Sequence, residues 1–316
     1  MVNDEVFDLL IVGGGPAGLT AAIYASRMEM RVLLLESTVP GGRAVEAPIV
    51  ENFPGFPEGI RGIELVENMI KQAEKYGASI RYPEAVVDVN VQETIKTVNT
   101  QDNRYKALTI LLATGTQRKK LLVPGETEFL GRGVSYCPLC DGPFFKGGVT
   151  AVIGSSDEAL EDALRLSNLS KKVFVITEKT EFEADRKLID NCVEKENIEI
   201  LKATVKSITG DNEVESIIIS DSHDDEKTKE VVVDGVFISL GRVPMTNLVK
   251  NAGITVDTNG CIEVDRKQTT NIQGVYAAGD CTCGGMQIVT AVGEGAMAAI
   301  QIYRYVKTAK LEPLSS

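Results

Sequence analysis

Two stretches of the chain repeat one architecture, and that repeat limits the fold more than any other feature. Residues 8 to 27, DLLIVGGGPAGLTAAIYASR, run from a wholly apolar strand through a glycine turn into a helix of small residues. Residues 149 to 167, VTAVIGSSDEALEDALRLS, do so again. Each is followed by a second apolar strand, RVLLLE at 31 to 36 and KKVFVIT at 171 to 177. Apolar runs of this length bounded by turns read as buried strands. Two such βαβ starts predict an α/β protein with two Rossmann-like, doubly wound dinucleotide-binding domains.

The boundaries follow from where each domain has to finish. TILLATG, residues 109 to 115, closes the first segment. A second domain then spans 118–244, ending with VVVDGVFISLG and the turn RVPMT. GCIEV, VYAAGD and a terminal helix, AVGEGAMAAIQIYRYVKTA, suit a return to the first domain. The expected organisation is a discontinuous domain of 1–117 and 245–316 with the second domain inserted, joined by two crossings. The terminal helix carries Gly293, Gly295, Ala296, Ala298 and Ala299, small residues that suit close packing on its own domain.

Composition narrows the function. A formal net charge of −12 disfavours nucleic acid or an anionic membrane surface as partner. No run of 18 apolar residues suggests a membrane span. The acidic start, MVNDEVFDLLIVGGG, lacks a signal-peptide pattern, so a cytoplasmic location is expected. The single histidine, His223, lies in the polar run SDSHDDEKTKE and reads as a solvated hairpin tip. Acid–base work then falls to a carboxylate, a tyrosine or a thiol.

The first glycine turn has the residues a dinucleotide needs. Gly13, Gly15 and Gly18 form G-x-G-x-x-G between strand and helix. The first permits the tight turn, the second lets backbone approach a pyrophosphate, and the third lets helix and strand pack closely. The helix N-terminus adds unpaired N–H groups and the positive end of the dipole. Glu36 ends the next strand, placed to bind ribose hydroxyls.

Cys137 and Cys140 form a C-x-x-C followed directly by Asp141. Spacing alone leaves three readings open: half a metal site, a structural staple, or a disulfide made and broken in turnover. Cys281 and Cys283 form a C-x-C, so four thiolates are available to a zinc or iron–sulfur site, though this spacing is not a usual ligand pattern. Otherwise Cys281 and Cys283 read as small residues in the glycine-rich turn CTCGGM, and Cys192 and Cys261 as ordinary buried thiols. Redox chemistry is the stronger reading, since C-x-x-C lowers the pKa of one thiol and a thiolate attacks disulfides.

Further motifs identify a family. Ala113-Thr114-Gly115 and Gly279-Asp280, behind GGGPAG, resemble the two-dinucleotide-binding flavoprotein disulfide reductases. GGR at 41 to 43 and VENFPGF at 50 to 56 narrow the resemblance to the low-molecular-weight thioredoxin reductases, which keep C-x-x-C-D in the inserted domain. The resemblance covers essentially the whole chain. It implies FAD held by Gly13, Gly15, Pro16, Ala17, Gly18, Glu36, Gly42, Arg43, Asn52, Ala113, Thr114, Gly115, Gly279, Asp280, Met286 and Gln287. It further implies that Cys140 receives electrons from the flavin, Cys137 attacks the disulfide of a thioredoxin-like partner, and Asp141 protonates the departing thiolate. A homodimer and a rotating inserted domain are expected on the same ground.

The second glycine turn departs from the family. The usual turn for NADPH is G-x-G-x-x-A; this chain has Gly154-Ser155-Ser156-Asp157-Glu158-Ala159. Ser156 replaces the glycine of close approach, and Asp157 and Glu158 put carboxylates at the helix N-terminus, with Glu161 and Asp162 one turn on. Acids there complement the helix dipole and occupy the anion site with the protein's own charge. Where NADPH-dependent members carry H-R-R-x-x-x-R, the aligned residues are Thr177-Glu178-Lys179-Thr180-Glu181-Phe182-Glu183. Carboxylates repel a 2′-phosphate, and no bidentate arginine replaces them. NADPH is therefore disfavoured, with a reduced deazaflavin coenzyme or ferredoxin as the expected donor.

Two alternatives stand beside this reading: an ordinary NADPH-dependent thioredoxin reductase, and a non-catalytic flavin-bound redox sensor. Asp141 counts against the sensor, which needs no acid for turnover. Ferredoxin–NADP reductases of related fold lack the C-x-x-C.

Overall fold

The computed structural model describes residues 2–221, 224–250 and 252–311. The chain divides into two compact units, Met1–Gln117 with Val243–Ser316, and Arg118–Arg242. The return crossing falls two residues before the expected 244/245 boundary.

The first unit opens with β1 (Val2–Val12), α1 (Pro16–Arg27) and β2 (Val32–Leu35). Leu9, Leu10 and Ile11 of β1 are wholly buried, because the strand is covered on both faces of its sheet. Pro16 fits the first turn of α1, where its missing N–H would have no helical partner. After α2 (Gly62–Lys75) and β3 (Ser79–Arg81), a meander of β4 (Val86–Asn90), β5 (Lys96–Thr100) and β6 (Arg104–Leu112) returns to β1. The sheet order is β3-β2-β1-β6-β5-β4. β1 pairs in parallel with both β2 and β6, which puts the glycine turn after β1 at the carboxyl edge of the sheet.

β7 (Thr116–Arg118) makes the first crossing. The second unit then holds β8 (Val134–Ser135), α3 (Pro138–Asp141), β9 (Val149–Ile153), α4 (Asp157–Ser167), β10 (Lys172–Thr177) and α5 (Arg186–Val193). β11 (Ile198–Gly210), β12 (Val214–Asp221), β13 (Asp224–Val232) and β14 (Gly235–Ile238) complete it. The sheet order is β13-β12-β11-β10-β9-β14-β8, parallel from β11 to β8 and antiparallel at the β12–β13 end. His223, read as a hairpin tip, lies outside the described residues.

β15 (Arg242–Pro244) makes the return crossing and pairs with β7. α6 (Asn247–Lys250), β16 (Val275–Ala277), which pairs with β6, and α7 (Ile288–Leu311) finish the first unit. GCIEV contributes only one antiparallel bridge, Val256 with Ile262. The small residues of α7 meet α1: a Cβ on Gly295 would lie 2.2 Å from the Ala17 carbonyl oxygen.

Candidate active site

The carboxyl edge of the first unit's sheet opens into a cavity of about 720 Å³. Gly13 sits under it at φ +107°, and a Cβ there would lie 2.3 Å from the Ala113 carbonyl oxygen. A Cβ on Gly18 would lie 2.0 Å from the Gly13 oxygen, so this glycine closes the turn from below. Beside Gly15 nothing lies within 4 Å, which leaves the start of α1 open to the cavity.

Glu36 reaches back to this turn, accepting the Gly14 N–H at 2.8 Å on one carboxylate oxygen and the Thr38 N–H at 2.9 Å on the other. The carboxylate is thus fixed at the wall. Across the cavity, Arg43 Nη1 pairs with Asp280 Oδ2 at 3.2 Å. Two buried polar atoms of lining residues, Arg43 Nε and Thr116 Oγ1, have no hydrogen-bond partner among the described residues. An open helix N-terminus, a pinned acid and orphaned polar atoms are what an extended dinucleotide would complete.

Fourteen of the sequence-named residues line this cavity: Gly13, Gly15, Pro16, Ala17, Glu36, Gly42, Arg43, Ala113, Thr114, Gly115, Gly279, Asp280, Met286 and Gln287. Gly18 does not, for the packing reason given. Asn52 does not either; it is exposed, and its Nδ2 donates to Gln287 Oε1 at 3.3 Å. Glu84, Thr116, Met245 and Leu248 also line the cavity and were not foreseen. Glu294 of α7 was missed too. Its Oε2 accepts the Gly279 N–H at 2.6 Å and the Thr282 hydroxyl at 3.2 Å, and burial raises its pKa. The available signal was the single acid of a helix whose first half is otherwise almost wholly apolar or small.

In the second unit Cys137 and Cys140 are joined as a disulfide, Cα atoms 5.3 Å apart. The one-turn helix α3 builds the pair: Cys137 caps it, Pro138 starts it, and the Cys140 N–H donates to Cys137 Sγ at 3.2 Å. Cys140 is exposed and Cys137 half-buried. Ser135 binds both ends of the motif. Its hydroxyl donates to Asp141 Oδ2 at 2.6 Å and accepts the Cys137 N–H at 2.9 Å. The segment is anchored further by Arg118, which donates to the Tyr136 carbonyl, and by the Tyr136 hydroxyl on Glu126.

The second glycine turn is closed by the chain itself. Glu183 N–H donates to the Ser155 carbonyl at 2.9 Å, and Asp157 Oδ1 accepts the Asp185 N–H at 2.7 Å. Among the described residues at this edge, Lys179 pairs with Glu183 and Arg242 with Glu158 at 3.2 Å, while Lys202 Nζ donates to the Thr180 carbonyl. The buried Ser156 hydroxyl has no partner among the described residues.

Two expectations are corrected. Cys261 is not an ordinary thiol: it forms a disulfide with Cys283, Cα atoms 5.7 Å apart. Neither is Cys283 merely a small turn residue. Cys192 and Cys281 are free and buried, and burial pushes both thiols up to about 11.

The pattern of the pyridine nucleotide-disulphide oxidoreductases matches residues 7–295. The chain belongs to that family. This oxidoreductase is 38% identical over 304 residues to a thioredoxin reductase of Treponema pallidum, covering 96% of this chain and 98% of the relative. A crystal structure of Lactococcus lactis thioredoxin reductase matches with TM-score 0.82 at 36% identity, covering 96% of this chain and 99% of that one. A ferredoxin-flavin thioredoxin reductase of Clostridium acetobutylicum matches with TM-score 0.53 at 34% identity, covering 96% and 98%. The oxidoreductase is a flavoprotein acting on a sulfur group, and FAD is the cofactor its family and its cavity fit.

Proposed function

We propose that this oxidoreductase reduces the disulfide of a thioredoxin-like protein, using FAD and the Cys137–Cys140 pair, with a donor other than NADPH. The observation that carries the reading is the C-x-x-C with its acid held in place, Ser135 linking the Cys137 N–H to the Asp141 carboxylate.

When bound and reduced by the donor, the flavin would supply the two electrons that convert the Cys137–Cys140 disulfide to a dithiol. Gly13, Gly15, Pro16 and Ala17 would hold its pyrophosphate, Glu36 a ribose, and Arg43 with Asp280 the ribityl chain, with Ala113, Thr114, Gly115, Gly42, Gly279, Met286 and Gln287 as the remaining walls. The Cys137 thiolate attacks one sulfur of the substrate disulfide, and Asp141 gives a proton to the sulfur that departs. Cys140 then attacks Cys137 Sγ, which frees the second substrate thiol and restores the intramolecular disulfide. Cys140 is the more exposed of the two in this arrangement. The rotating inserted domain that the resemblance implies would let the pair serve the flavin and the protein substrate in turn.

The donor reading rests on the second glycine turn. Asp157 on the Asp185 amide, Ser156 at the position of close approach, and Lys179 and Arg242 each paired with a glutamate leave little to bind a pyrophosphate or a 2′-phosphate. Reduced ferredoxin or a reduced deazaflavin coenzyme fits that loss, and a relative of this fold is itself a ferredoxin-flavin thioredoxin reductase.

Trapping tests the protein half of the cycle. Reduced C140S enzyme mixed with an oxidised thioredoxin should accumulate a stable mixed disulfide through Cys137, and C137S should not. Trapping through Cys140 alone would reverse the two roles. No trapping in either variant would remove the thioredoxin-like substrate.

A further inference from the structure

We propose that Cys261–Cys283 is a second thiol–disulfide exchange site, one that a dithiol opens and that governs how firmly the flavin cavity is walled. The pair lies on the first unit, behind the turn that carries Asp280. Cys261 sits in a tight loop in which Asp257 Oδ1 accepts the N–H groups of Asn259 and Cys261, both at 2.8 Å. The next residue, Ile262, is buried and donates its N–H to the Cys281 carbonyl at 2.8 Å. This loop is therefore a fixed base. Cys283 is at the other end, directly after the Asp280–Thr282 turn, with a left-handed backbone at φ 58°.

The exposed part of the wall lies just beyond Cys283. Gly284 and Gly285 are exposed, and Met286 is exposed with φ 51°. Gly279 and Asp280 before the disulfide, and Met286 and Gln287 after it, line the cavity. The disulfide thus ties the middle of a glycine-rich, cavity-lining segment to a rigid loop 22 residues away in sequence. Opening this cross-link removes one tie between the exposed segment and the loop of Cys261, and local opening concentrates where such ties are few.

Accessibility decides where exchange begins. Cys261 is 5% exposed, whereas Cys283 is half-buried, on the solvent side of the pair. A dithiol's thiolate attacks Cys283 Sγ, forming a mixed disulfide and releasing Cys261 as thiolate. The dithiol's second thiolate attacks its own bonded sulfur and releases Cys283. The dithiol is oxidised to a disulfide, and its two protons end on Cys261 and Cys283. The fully buried Cys281, hydrogen-bonded to the carbonyls of Leu112 at 3.5 Å and Ala278 at 3.4 Å, takes no part. A protein that works among dithiols would in this way loosen its own cofactor seat when they accumulate.

The test uses the FAD-loaded full-length protein, alkylated in the native state before and after dithiothreitol and mapped by peptide mass spectrometry. Before treatment, Cys261 and Cys283 should appear as one cross-linked peptide pair. After it, both should be alkylated, with Cys192 and Cys281 unlabelled. Flavin release, followed as a fluorescence rise on dilution, should become roughly three- to tenfold faster on reduction. C261S/C283S, which keeps the Cys137–Cys140 pair, should release flavin at the fast rate with or without dithiothreitol, which separates the two disulfides. Free thiols at 261 and 283 in untreated protein would overturn the proposal. So would a pair that resists dithiothreitol until the protein unfolds, or release rates that do not differ between the oxidised and reduced wild-type protein.

Discussion

Asp141 receives the Ser135 hydroxyl at 2.6 Å, and the same hydroxyl takes the Cys137 N–H at 2.9 Å. Once it has taken a proton from solvent, Asp141 can deliver it to a departing thiolate, a task that a neutral amide of the same shape cannot perform. D141N is expected to lower turnover with a thioredoxin substrate by roughly 10²-fold or more while leaving the flavin spectrum unchanged. Stopped-flow reoxidation of the reduced enzyme by that substrate reads the effect, and a turnover within twofold of wild type would remove the acid role. Asp141 was legible because it follows the C-x-x-C directly in sequence. Ser135 was not, since only the single turn of α3 brings positions 135 and 141 together. Cys261 was misread for a related reason. Its partner is 22 residues away, and pairing depends on where the loop of Asp257 meets the turn of Asp280.

α4 carries a mostly buried acid on its inner side. Asp162 accepts the Ser239 hydroxyl at 2.6 Å and is pushed up to about 6 by burial, with Glu158 and Glu161 nearby adding to the shift. An acid whose folded value lies above its ordinary 3.8 is bound more tightly to its proton in the folded state. Stability therefore falls as pH rises from about 4 through 6 and stays lower above that window. D162N keeps a partner for Ser239 and removes the charge. It should raise stability by on the order of 2 kcal/mol at pH 8 and leave it nearly unchanged at pH 4. Urea unfolding at the two pH values checks this, and an equal effect at both would show a packing change instead of a charge. At this scale the sequence was most informative. The apolar runs and glycine turns marked β1, α1, β9 and α4, because covered parallel strands have no polar face. The antiparallel β4–β5 meander carried no comparable signal, with Val86–Asn90 half exposed and mixed in character.

Two units joined by paired crossing strands, β7 and β15, carry the two halves of the chemistry separately, the flavin cavity in one and the Cys137–Cys140 disulfide in the other. The two-domain α/β class was readable in the sequence because each unit opens with its own strand, glycine turn, helix and second strand. The proposed change of donor rests on a loss. Ser156 and the glutamates at 178, 181 and 183 showed what had been replaced, while the pairing of Arg242 with Glu158 across 84 residues needed the fold. The most direct measurement is anaerobic bleaching of the oxidised flavin at about 450 nm by NADPH, NADH, reduced ferredoxin and a reduced deazaflavin in turn. The account predicts that neither pyridine nucleotide bleaches the flavin within the time of a catalytic cycle, and that reduced ferredoxin or the deazaflavin does. Rapid bleaching by micromolar NADPH would contradict it and make the protein an ordinary NADPH-dependent reductase.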